Sequence, residues 1–295
     1  MVGAFRSSSH FRPGGIADVG GVVVAGLEAG LAGAVSEDLA VVAGSAVVAA
    51  ARAGEESMAS MTLDDLVSQL RTAYGEELRC VVLYGSAAAG EHFAKRSDLN
   101  VLVIVQRIDV DRLRREAAIA RAWGEAGNPP PLTMTDAEWR ASADIFPMEY
   151  ADILDGHRVL HGTPPFDGVK PSREHLRLQT EHESMGKLIQ FRQGILRTGG
   201  DHRRIVELLR DSLSTFMVIF RAVVRLHGET PPRDYEELSA KVGRLAGFDA
   251  GPFTRVVRHV RGAQVLTEQE TTAVLSGYLE SVHRLVEHID RMGHA

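Results

Sequence analysis

Residues 81–105 read "VVLYGSAAAGEHFAKRSDLNVLVIV", and no other stretch constrains the fold as tightly. A run rich in Val, Leu and Tyr stops at Gly85-Ser86, and a second apolar run follows Ser97-Asp98-Leu99-Asn100. Two β-strands are predicted, over 79–84 and 99–105. Between them come a tight turn, a short helix over 87–91 and a charged loop through Lys95-Arg96. Gly85 lets the backbone approach a ligand closely. Ser86 places a hydroxyl at the entry to that short helix, where backbone N–H groups favour anions. Asp98 and Asn100 are two residues apart, so they share one face of the second strand.

The segments around this stretch have their own periods. "TLDDLVSQLRTAYG" has a threonine N-cap, acids in its first turn, and Leu63, Leu66, Val67 and Leu70 at helical spacing; Gly75 ends it. "DVDRLRREAAIARAWGEAG" reads as an amphipathic helix, stopped by Asn128 and three prolines. "PLTMT" is a candidate third strand, and Thr135-Asp136-Ala137-Glu138 has the form of a capping box. "DIFPMEYADILDGHRVLHG" holds to neither period and leads to the linker "TPPFDGVKP". Beyond Pro171 the pattern is helical throughout. A helix over 173–197 puts Met185, Leu188, Ile189, Ile195 and Leu196 on one face, and 202–227 is the most apolar helix. Three more are expected over 234–245, 252–262 and 267–291. The fold class is α+β: a mixed sheet flanked by helices over 58–165, followed by an all-α helical bundle over 171–292.

Residues 1–57 are Gly/Ala/Val-rich, and glycine at that density breaks helical and strand patterns alike. They are expected to be a disordered or non-native extension, with Met58 or Met61 as a sensible start. The whole chain of 295 residues is 44% hydrophobic and 24% charged, as in soluble proteins with a substantial core. Its net charge of −6 and pI of about 6.1 argue against a general nucleic-acid-binding surface. The single cysteine, Cys80, excludes an intramolecular disulfide and reads as a small core residue, which fits a reducing cytoplasm. No uncharged apolar run reaches about 20 residues, so no membrane partner is expected.

Taken together, the apolar strand, Gly85-Ser86, the intervening loop and the strand opening Ser97-Asp98-Leu99-Asn100 resemble the nucleotidyltransferase fold of the DNA-polymerase-β superfamily. The resemblance covers residues 62–160. The helical region beyond is similar in architecture to aminoglycoside nucleotidyltransferases, and the whole resembles bacterial nucleotidyltransferase domain-containing proteins with a helical C-terminal domain. The resemblance implies transfer of a nucleoside monophosphate from a nucleoside triphosphate to a hydroxyl of a small-molecule or protein acceptor. It implies a phosphate grip at Gly85 and Ser86, with Lys95, Arg96 and Ser97 beside the triphosphate, although Lys95 and Arg96 equally fit plain loop charges. It also implies Mg²⁺, held by Asp98 together with the residue at position 100.

The sequence departs from the family pattern at that second position, where Asn100 offers a neutral oxygen and weakens any Mg²⁺ site. A further acid, which the family takes from the next strand, is missing from "PLTMT", where the alternating positions are Thr133 and Thr135. Glu149 is the leading candidate to replace it, with Asp152 behind it. The implied catalytic set is therefore Asp98, Asn100 and Glu149, and weak transfer is expected. The alternative is a nucleotide-binding or regulatory module without turnover. Arg221 and His227 also resemble the Arg…His pair of HEPN-type RNases, but the simpler reading has them flanking an apolar helix. The spacings of His175 with His182 and of His283 with His288 do not suit a zinc site. Trp123 and Trp139 read as core.

Overall fold

The computed structural model describes residues 61–85, 87–88 and 99–293. The extension over 1–57, the predicted short helix after Ala88, and Ser86, Lys95, Arg96, Ser97 and Asp98 lie outside the described residues.

Helix α1 (Leu63–Tyr74) opens on a capping box in which the Thr62 hydroxyl accepts from the Asp65 N–H and the Asp65 carboxylate accepts from the Thr62 N–H. It stops at Gly75, whose φ of 56° suits glycine. A 3₁₀ turn leads into β1 (Leu78–Tyr84), which pairs antiparallel with β2 (Asn100–Val105). Helix α2 (Val110–Glu125) carries the chain over to β3 (Leu132–Thr135), parallel to β2, as such a pairing requires. Helix α3 (Asp136–Ala141) begins with the expected capping box of Thr135 and Glu138. Then come α4 (Pro147–Asp155) and β4 (His157–Gly162), the latter antiparallel to β1. The sheet order is β3-β2-β1-β4.

Both faces of β1 and β2 are buried, which is why they read as continuous apolar runs. On one face Val81, Leu83, Val101, Val103 and Val105 pack with α1 and α2 around Trp123. On the other, Cys80, Val82, Tyr84, Leu102, Ile104 and Met134 pack with Trp139 from α3 and with Tyr150 and Ile153 from α4. Trp139 stacks on Tyr150 with ring centroids 4.0 Å apart.

The segment that held to no period is α4 with β4. Helix α4 starts on Pro147 without a side-chain cap, so it lacks the usual polar signal. Strand β4 is a largely exposed sheet edge bearing His157, Arg158 and His161, so no apolar alternation marks it.

The remaining helices are α5 (Arg173–Thr198), α6 (His202–Leu226), α7 (Tyr235–Ala246), α8 (Gly251–Val260) and α9 (Glu268–Arg291). Helix α6 lies at the centre, burying Leu209, Leu213, Phe216, Met217, Phe220 and Val223. Phe216, Phe253 and Tyr278 meet edge to face or tilted around it. The single apolar face expected on α5 is corrected. Leu188 is buried with Leu176 and Phe191, whereas Met185, Ile189 and Leu196 face outward. Neighbours in sequence stand about 100° apart on a helix, so Leu188 and Ile189 cannot share a face. Among the described residues no helix is long and apolar enough to cross a membrane.

Candidate functional site

The register of β1 with β2 places Tyr84 opposite Asn100, so the Gly85 turn lies beside the start of the second strand. Gly85 has φ 79°, and a Cβ there would sit 3.3 Å from the Asn100 amide nitrogen. Both the backbone angle and the space therefore call for glycine. The entry to β2 is fixed by Asn128, whose Oδ1 accepts the Leu99 N–H at 3.0 Å. In the sequence Asn128 reads only as part of a break. Asn100 is half-buried and shares its sheet face with Tyr84, the face covered by α4.

On this face the expectation for β3 is corrected. Leu132 and Met134 pair with Leu102 and Ile104 and share the Asn100 side; Thr133 points to the other side and donates to Glu116 at 2.6 Å. Glu116 also accepts from the Tyr74 hydroxyl, a buried network unrelated to the Gly85 turn. Strand β3 thus presents apolar side chains to the Asn100 side of the sheet.

Helix α4 brings two acids to this end of the sheet. Glu149, in its first turn, accepts at both carboxylate oxygens from Gln179 Nε2 of α5, at 3.1 and 2.8 Å. The same Gln179 accepts the Met148 N–H through its Oε1 at 2.8 Å. Burial pushes the Glu149 carboxyl above its ordinary range, and the amide hydrogen bond only partly offsets this. Its charge also reaches Tyr84, whose phenol is pushed up by burial and then by Glu149. Asp152, one turn on, is held by Arg221 Nη2 at 2.8 Å and Arg225 Nη1 at 2.7 Å. Burial alone would raise its carboxyl; the two guanidinium groups outweigh burial and hold it below the ordinary range. Arg225 also pairs with Asp155 at 2.8 Å.

A cavity of about 150 Å³ opens between Gly85 and the bundle, lined by Asp152, Asp155, Arg221, Arg225, Arg233 and Thr230 among others. Three arginines against two aspartates give it a positive balance. A larger cavity of about 680 Å³ lies at the opposite end of the sheet, between Arg79, Gln106, Asp136 and Gly162, away from Gly85 and Asn100.

The structure thus brings Gly85, Asn100 and Glu149 to one end of the sheet. Asp98, the carboxylate expected to hold Mg²⁺, lies outside the described residues; Asn100 adds no charge, and no three His, Cys, Asp or Glu side chains converge among the described residues. Arg221 and His227 have separate partners, since Arg221 binds Asp152 while His227 Nε2 lies 2.9 Å from His288 Nε2.

No family model matches the chain, and no curated protein sequence does. Among solved structures the chain is similar to spectinomycin adenyltransferase AAD(9) from Enterococcus faecialis, determined with ATP and spectinomycin. Identity is 12% and the TM-score 0.49, over 76% of this chain and 99% of that one. At that identity the likeness assigns no residue a role.

Proposed function

We propose that this protein binds a nucleoside triphosphate at the Gly85 end of the sheet and passes the nucleoside monophosphate, slowly, to a hydroxyl of a small molecule or protein. The reading rests on the β1–β2 register, which sets the glycine turn beside Asn100 on the face where Glu149 stands. The backbone at Gly85 receives a phosphate, and the cavity beside it is lined by Arg221, Arg225 and Arg233 together with Asp152 and Asp155. The ionised Glu149 carboxylate, whose proton affinity burial raises, takes the proton of the acceptor hydroxyl as its oxygen attacks the α-phosphorus and pyrophosphate leaves. Asn100 orients through its amide but adds no charge, and no step is routed through a metal.

A second reading, nucleotide binding without turnover, is favoured by the neutral Asn100 and by Leu132 and Met134 on the same face. Calorimetric titration with ATP, GTP, CTP and UTP tests the shared claim. Binding of one of them that is lost in Gly85→Val supports it, because a side chain at φ 79° meets both strain and Asn100. Absence of binding by all four overturns it. Pyrophosphate release with a polyol acceptor separates the readings: slow release abolished by Glu149→Gln favours transfer.

A further inference from the structure

Helix α5 carries an apolar line that the fold leaves uncovered. Leu178, Met185, Ile189 and Leu196 are 48%, 46%, 46% and 82% exposed. The opposite side of the helix is buried through Leu176, Thr180, Ser184, Leu188 and Phe191. At about 100° per residue the four exposed side chains fall within about 20° of one line. At 1.5 Å per residue that line runs for about 27 Å. Four large apolar side chains aligned and exposed on one helix are the kind of feature that marks a contact surface.

The spacing identifies the occupant. Leu178, Met185, Ile189 and Leu196 are separated by 7, 4 and 7 residues, a pattern that reads the same in both directions about Lys187. A two-fold contact has this property, because residue i of one copy meets j of the other and j meets i. We infer that the occupant is a second copy of this chain, with the two α5 helices antiparallel and the two-fold axis level with Lys187. Leu178 then meets Leu196 of the second copy, and Met185 meets its Ile189.

Charge on the flanks fits the same arrangement. Glu181 and Arg192 lie on one side of the apolar line, His182 and Gln193 on the other. In an antiparallel pair like flanks face each other. Glu181 comes opposite Arg192 of the second copy, twice by symmetry, and His182 comes opposite its Gln193. Opposite charges beside an apolar seam set partner and orientation in paired helices. Within one chain Glu181 takes Arg177, and Arg192 contacts His283, surface contacts that the second copy shares.

Sedimentation velocity of the full chain tests this. The expected species has twice the 32.0 kDa monomer mass. Met185→Glu with Ile189→Glu should weaken association more than about 100-fold, since both side chains sit at the centre of the seam. These positions are exposed, so the far-UV circular dichroism of the variant should stay near that of the natural chain, while its thermal midpoint should lose the concentration dependence that a dimer confers. Orientation is read by oxidation. Leu178→Cys and Leu196→Cys proteins should cross-link when mixed and not when oxidised separately; Cys80 is buried and does not interfere. A monomer at concentrations up to about 100 μM, where even weak pairs form, overturns the inference. So does a dimer that survives the double charge substitution, or cross-linking of each cysteine variant with itself.

Discussion

In its first turn helix α4 meets the bundle through Glu149 and Gln179; one turn later it meets it through Asp152, Arg221 and Arg225. Both acids are largely buried at the same boundary, yet one has a neutral partner and the other two cations. Burial therefore dominates at Glu149 and raises its proton affinity, while the guanidinium charges dominate at Asp152 and lower it. A carboxylate with two cations is a structural tie and a poor base. A buried carboxylate with one amide partner is free to exchange a proton.

The largest expected effect breaks the comparison outright if it fails. Asp152→Asn leaves Arg221 and Arg225 facing an uncharged group and should cost about 3–5 kcal/mol in urea unfolding. Glu149→Gln removes a buried charge with no cation partner and should change stability by no more than about 1 kcal/mol. Equal costs would show that the two acids are held alike.

pH sharpens the same contrast, because the two groups act in different windows. The folded chain holds the Glu149 proton more tightly than the unfolded chain does. Stability from this group therefore falls as pH rises from the ordinary value of 4.5 through the raised one, and Glu149→Gln should remove that fall. For Asp152 the sign reverses. Its contribution is full above the ordinary value of 3.8 and is lost as pH drops through the lowered one, so the natural chain's advantage over Asp152→Asn should shrink only in that acid range. Unfolding midpoints of the natural chain and both variants across the acid range would show it.

A smaller effect isolates Gln179. Gln179→Leu removes the hydrogen bonds to Glu149 and the acceptor for Met148 N–H, and should cost about 1–2 kcal/mol. It should also move the Glu149 titration upward, read from its side-chain carboxyl carbon by NMR. A lower midpoint, or none resolved, would show that Gln179 does not set the affinity of Glu149.

The sequence made some of this legible and hid the rest for identifiable reasons. The threonine N-cap at Thr62, the capping box at Thr135 and the apolar runs of β1 and β2 are local signals, and they read directly. Helix α4 begins on proline with no polar cap, and β4 is an exposed edge, so neither leaves a periodic trace. The orientation of β3 depends on its parallel register with β2, and four residues alone do not reveal which of Thr133 or Met134 turns toward Asn100. Glu149 was within reach of sequence reading as an acid near the motif. Its clamp, Gln179, comes from a helix in the bundle, and only packing brings the two together. The outward line on α5 was merged with the buried face because Leu188 and Ile189 are adjacent and both apolar.

The proposed function requires that position 100 face a bound nucleotide beside Gly85. Calorimetric titration of the natural chain and of Asn100→Asp with ATP, with and without Mg²⁺, tests it most directly. Weak binding with little Mg²⁺ dependence is expected of the natural chain. In Asn100→Asp, tighter, Mg²⁺-dependent binding is expected, because a carboxylate oxygen replaces the neutral amide beside Gly85. Identical titrations for the two proteins would contradict it and move the nucleotide away from this end of the sheet.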